Sequence, residues 1–159
     1  MIKITLICLG KLKEKYLKDA VAEYQKRLSR YCSFEVVELE PVKLPEKPSA
    51  NEIDITLTKE ADMIIKKLPQ NSDIFALCVE GKEFSSEKFA HEIELSQSSG
   101  KNLAFIIGSS YGLSDKVKNL SKVKLSFSQM TFPHQLFRVL LLEQIYRAFK
   151  INEGSTYHK

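Results

Sequence analysis

Apolar and polar positions alternate along this chain in two rhythms, one of period two and one near period four. Ile2, Ile4, Leu6 and Cys8 alternate with Lys3, Thr5 and Ile7 as far as Gly10, which predicts a first strand. From residue 12 to about residue 30, Leu12, Tyr16, Ala20, Tyr24 and Leu28 recur at every fourth place, which predicts an amphipathic helix. Its other face carries Lys11, Lys15, Lys18, Lys26, Arg27 and Arg30. A second strand is expected over 34–39, followed by a loop punctuated by Pro41, Pro45 and Pro48. Asn51 can cap a helix reaching about residue 68, with Pro69 beyond its end. The stretches 73–79 and 103–107 are almost wholly apolar, as expected of strands covered on both faces. Between them Ser85 or Ser86 can start a helix through Phe89, Ile93 and Leu95. Ser114 can cap a short helix to about residue 120, 123–127 reads as a fifth strand, and Pro133 opens a long helix to about residue 152.

Strands that alternate with helices indicate an α/β domain: a mainly parallel sheet with helices on both faces. No repeat, linker or low-complexity tract divides the chain, so one domain spanning 1–159 is expected. The last helix is apolar nearly all round, through Leu136, Phe137, Val139, Leu140, Leu141, Leu142, Ile145, Tyr146 and Phe149. Such a helix lies deep in one core or is shared between subunits, and in so small a domain a homodimer interface is the favoured reading.

A hydrophobic content of 43% is ordinary for a globular chain, and a net charge of +4 permits a nucleic-acid partner without requiring one. Cys8, Cys32 and Cys78 are far apart and unpaired, which argues for a reducing compartment and against zinc. The three histidines His91, His134 and His158 stand at no ligand spacing, so no metal is expected. With no apolar run of signal-peptide or membrane-span length, the expected location is cytoplasmic, with no membrane partner.

Ligands of open α/β sheets bind beyond the carboxyl ends of strands, and here 77–81, 108–112 and 127–132 occupy such ends. No dinucleotide fingerprint, phosphate-binding P-loop or nucleophile elbow is present. Gly108 and Gly112 allow a tight turn that a ligand could approach, although an ordinary strand-to-helix turn would need the same residues. The densest polar and aromatic segment runs from Phe127 through Ser128, Gln129, Met130, Thr131 and Phe132 to Pro133, His134 and Gln135, with Arg138 one helical turn beyond His134. Its backbone could meet an adenine edge between apolar walls. Alternatively, His134 merely caps the helix and Arg138 pairs with a nearby acid.

The chain resembles the RlmH family, formerly the YbeA-like proteins, of the SPOUT class of RNA methyltransferases. The resemblance covers the whole length. It is carried by Leu9-Gly10-Lys11-Leu12-Lys13, by Tyr24-Gln25-Lys26-Arg27-Leu28, by 77–81 with Ser85-Ser86, and by the loop at 108–112. It continues through 125–138 and Glu143-Gln144-Ile145-Tyr146-Arg147-Ala148 to the terminal Tyr157-His158-Lys159. The resemblance implies a C-terminal trefoil knot (an α/β-knot) and a homodimer. It also implies methylation of N3 of a pseudouridine in 23S ribosomal RNA, on the assembled ribosome, with S-adenosylmethionine as donor. By position, cofactor contacts would fall at Leu77, Gly108, Phe127, Ser128, Gln129, Met130, Thr131 and Phe132.

For that reaction His158 is the first candidate base and His134 the second. Arg138 would hold a substrate phosphate or offset developing charge, and Tyr157 would stack on the ring. The competing class is a non-catalytic ribosome-associated RNA-binding module of the same fold. A further alternative is an unknotted flavodoxin-like nucleotide protein. Where the family pattern has a second glycine, this chain has Ser109, which would cost about 1 kcal/mol or more if that position needed positive φ.

Overall fold

The structure is a computed structural model and describes residues 1–159. The elements follow in strict alternation: β1 (Ile2–Leu9), α1 (Lys15–Leu28), β2 (Cys32–Leu39), α2 (Ala50–Ile65), β3 (Ser72–Glu83), α3 (Ser86–Ser98), β4 (Asn102–Ile107), α4 (Asp115–Leu120), β5 (Val123–Ser126) and α5 (His134–Asn152). All five strands form one parallel sheet in the order β2-β1-β4-β3-β5.

Period-two alternation explains how the central strands serve two cores at once. In β1, Ile2, Ile4, Leu6 and Cys8 face the core formed with α1, α3 and α5, whereas Ile7 and Leu9 face that formed with α2 and α4. In β4, Leu103, Phe105 and Ile107 take the first side and Ile106 the second. Helices therefore cover both faces, and a strand buried on both sides reads in sequence as an unbroken apolar run.

Most predicted elements stand within a few residues of their expected bounds, and three differences have physical causes. The cap of α2 is Ser49 rather than Asn51, because Ser49 and Glu52 bond each other's backbone in a capping box. The strand β3 runs on to Glu83, since it resumes pairing with β5 after a bulge. The buried stripe of α1 is Leu17, Val21 and Leu28 with Tyr24 beside them, while Tyr16 is exposed. A strict four-residue spacing advances about 40° per step around a helix of 3.6 residues per turn, so it cannot keep to one face: here Tyr16 falls outside the core while Tyr24 and Leu28 meet it.

Helix α5 lies between α1 and α3. Phe137, Leu141, Leu142, Ile145, Ala148 and Phe149 are buried within this chain's own core, which accounts for much of the helix's apolar character. Leu136, Val139 and Leu140 stay half-buried or exposed.

Candidate functional site

Strand order decides which loops meet. Because β4, β3 and β5 are neighbours, the segments that follow their carboxyl ends converge on one place. The β3–β5 ladder pairs Leu77 with Leu125 and then Lys82 with the same Leu125, so 78–81 bulge away from the ladder. The result is a cavity of about 320 Å³, within the range of small-ligand sites.

Of the residues singled out in the sequence, Leu77, Gly108, Phe127, Ser128, Met130, Thr131, Phe132 and His134 line this cavity. Gln129 does not. Phe137 completes an aromatic wall, edge-on to Phe127 at 4.7 Å between ring centres and tilted against Phe132 at 6.2 Å. Met130 stands out into solvent at the rim. The lining also includes Cys78, within the marked end 77–81, and Leu113 and Lys118, which the sequence did not mark; Lys118 is paired with Glu80. Phe137 carried a signal, one turn beyond His134 in the same segment, but nothing local announced the Glu80–Lys118 pair.

Polar backbone faces these apolar walls. Across 129–132 only the Met130 N–H has a partner within the chain, the Ser128 hydroxyl at 3.0 Å. The remaining groups need an acceptor or donor from water or a ligand. The opposite side is set by the turn after β4. Gly112 has φ +87° and donates to the Ser109 carbonyl, which turns the chain so sharply that a Cβ on Gly108 would stand 2.4 Å from the Gly112 carbonyl oxygen. Ser109 is not at positive φ, the only such non-glycine being Asn71, so the expected backbone strain does not arise. Its hydroxyl instead donates to Glu60 of α2 at 2.8 Å. Glu60 is buried, and its other oxygen accepts from the Val42 N–H at 3.0 Å.

The four residues expected to do chemistry separate. His134 lies at the start of α5, makes no capping bond, and lines both the first cavity and a second of about 600 Å³, lined chiefly by polar and charged residues. Partial desolvation at the cavity wall lowers its pKa below the ordinary histidine value, with help from the charge on Arg138, while the Gly108 backbone works the other way; one side of the ring still reaches solvent. Neutral imidazole is the favoured form at pH 7. Arg138 is 3% exposed and fully engaged, with the Glu38 carboxylate at 2.6 Å and the Gly10 carbonyl at 2.7 Å. It lines the second cavity but is tied to an acid.

Tyr157 and His158 line neither cavity. The Tyr157 hydroxyl bonds Glu143, and the Arg147 guanidinium lies 4.8 Å from the centre of its ring. His158 stands between Arg147, 3.2 Å from Nδ1, and Glu87, 2.8 Å from Nε2. A guanidinium only donates, so Nδ1 accepts and Nε2 carries the proton given to Glu87. In this arrangement neither nitrogen is free to take a proton from a substrate.

No three His, Cys, Asp or Glu side chains are grouped as metal ligands, and no helix is long and apolar enough to cross a membrane.

Comparison with known proteins gives a consistent picture. Residues 2–158 match the family model described as "Predicted SPOUT methyltransferase". A protein of Streptococcus equi subsp. zooepidemicus named "Ribosomal RNA large subunit methyltransferase H" is 50% identical over 158 residues, covering 99% of each chain. One of the same name from Clostridium acetobutylicum is 52% identical over 157 residues, covering 98% of this chain and 99% of the relative. A solved SpoU methyltransferase, AviRb of Streptomyces viridochromogenes in complex with AdoMet, aligns at TM-score 0.45 and 10% identity, covering 97% of this chain and 61% of the other. That last likeness is too slight to bear a conclusion.

Proposed function

The chain belongs to the RlmH family of SPOUT methyltransferases, and from that premise we propose that it methylates N3 of a pseudouridine in 23S ribosomal RNA on the assembled ribosome. The donor is S-adenosylmethionine, which supplies an electrophilic methyl group on its sulfonium. The observation that carries the reading is the cavity built by three strand-end loops, with His134 on the wall it shares with a second cavity.

The residues present suit that donor. Leu77, Phe127, Phe132 and Phe137 offer apolar walls for an adenine, and the unpartnered backbone of 129–132 offers hydrogen bonds to its edge. Gly108 lets the turn after β4 fold back onto Gly112, which shapes the opposite side. Of the positions expected to touch the donor, all but Gln129 line this cavity, which supports the reading.

Transfer forms a bond from N3 to the methyl carbon, breaks the sulfur–carbon bond and releases the N3 proton. Much of the acceleration comes from holding the reacting atoms in line. His134 is the better-placed base, because it is neutral and faces both cavities. Arg138 acts by position, fixing the Gly10 segment against α5. His158 and Tyr157 would reach an active site only after leaving Glu87 and Glu143, or at the site of a second copy. We read the chain as one domain over 1–159 that works in the cytoplasm as a homodimer. Its partner surface includes Met130, Phe132 and Leu136, which are left exposed around the cavity mouth and α5. We also read the C-terminal segment as a trefoil knot, in keeping with β5 at the sheet edge and α5 returning between α1 and α3.

The test is to incubate purified protein with labelled S-adenosylmethionine and ribosomes from a strain lacking the enzyme, then map the label. One N3-methylated pseudouridine in 23S RNA is expected. Ribosome binding with neither donor affinity nor transfer would instead identify a non-catalytic module.

A further inference from the structure

We propose that the second cavity is the acceptor-strand subsite, where Lys11 and Lys13 hold backbone phosphates of single-stranded RNA and Tyr16 stacks on one of its bases. This rests on the methyl-transfer reading above and names the residues that would receive the substrate.

The two cavities share Ser109, Ser110 and His134, so their contents meet across a single layer of side chains. A group-transfer site needs that contiguity between donor and acceptor. Few hydrophobic residues line the second cavity, and the side chains of Lys11, Lys13, Gln135 and Arg138 give it groups that can meet ribose and phosphate. Lys11 and Lys13 are exposed at its edge, and neither is within ion-pair distance of a carboxylate. Other cations of the same region are already neutralised: Lys15 by Asp19 and Arg138 by Glu38.

The segment that carries these lysines is held from three sides. The Lys13 N–H donates to Gln135 Oε1 at 2.8 Å, the Leu12 N–H donates to Glu38 Oε2 at 3.1 Å, and the Gly10 carbonyl accepts from Arg138 at 2.7 Å. Fixing the backbone in advance lowers the ordering cost of binding. Tyr16, 68% exposed, places an aromatic face beside them where packing does not use it. Stacking on such a face is how sequence-tolerant single-strand sites hold bases. Glu14 and Glu40 also line the cavity and limit its positive potential. That balance fits one or two phosphates of a local strand with polar base or ribose edges between them, and disfavours a long duplex track.

Methylation kinetics on ribosomes test the proposal, comparing Lys11→Gln/Lys13→Gln, Tyr16→Leu and, as a charge control, Lys66→Gln/Lys67→Gln on the exposed far end of α2. The lysine pair should raise the ribosome KM by about tenfold at physiological salt and flatten its salt dependence by one to two charges' worth, about 0.7 per phosphate contact on single strands. Turnover at saturating ribosome should change far less, and donor affinity measured by calorimetry should stay within about twofold. Tyr16→Leu should raise KM, and Tyr16→Phe should restore it. An unchanged KM in the lysine pair, or an equal rise in the control, overturns the subsite while leaving methyl transfer intact. Failure of the unsubstituted protein to transfer any methyl group overturns the function itself and the subsite with it.

Discussion

His134 and Gly108 both line the proposed donor cavity, one as a titratable group and one as the residue whose lack of a Cβ lets the chain turn back onto Gly112. A base works when deprotonated, and partial desolvation holds His134 below the ordinary histidine value of 6.5. Methylation should therefore be level near neutrality and fall only as pH drops below that value. Exchanging His134 for Gln should lower kcat by about 10²-fold with little change in donor affinity. If the acid limb of the pH profile survives that exchange unaltered, the base is another group. Replacing Gly108 with Ala brings a methyl against the Gly112 carbonyl, so calorimetry should show donor affinity reduced by tenfold or more, about 1.4 kcal/mol. These two residues were legible in the sequence, because a glycine turn and a histidine at a helix start announce themselves locally. The partners that define their roles were not. That Arg138 would turn to Glu38, a hundred residues away, leaves no mark near either residue.

At the scale of elements, Asp73 clamps the amino end of β3. It accepts from Ser96 of α3 at 2.6 Å, from Lys101 at 3.1 Å and from Lys122, just ahead of β5, at 3.0 Å. Burial opposes its ionisation, but these bonds outweigh burial and hold its carboxyl at about 2. A carboxyl depressed in the folded state stabilises fully above its unfolded value near 4, and that contribution disappears as pH falls through about 2. Asp73→Asn should cost on the order of 2 kcal/mol in urea unfolding at pH 7. The gap from wild type should close as pH is lowered toward 2. Element types were readable because β3 and β4 are buried on both faces and show it as continuous apolar runs. The inward face of α1 was only partly legible: Leu12, Tyr24 and Leu28 pack on the core, but Tyr16 does not. Leu17 and Val21 take its place, since a spacing of four does not stay in phase with the helical repeat.

At the scale of the whole molecule, α5 is shared by everything that matters here. Its first turn walls both cavities, its middle fills the core between α1 and α3, and its last turns hold the tail through Glu143 and Arg147. Since no tail residue lines the donor cavity, deleting 157–159 should leave donor affinity within about twofold by calorimetry. A loss of binding would mean that the tail closes over a donor, in its own chain or in the second copy. The exposed apolar side chains around α5 predict a dimer by sedimentation, and Leu136→Lys should shift the equilibrium toward monomer. None of this long-range geometry follows from periodicity, which says which face of a helix is apolar but not what covers it.

The hydroxyl at position 109 ties the turn after β4 to α2. Restoring the family's glycine there would relieve no backbone strain, and it would leave one oxygen of a buried carboxylate on α2 with nothing to accept from. Ser109→Gly should therefore destabilise by about 1–2 kcal/mol. The residue and its acid depend on each other, so changing either alone carries a penalty that changing both would lessen.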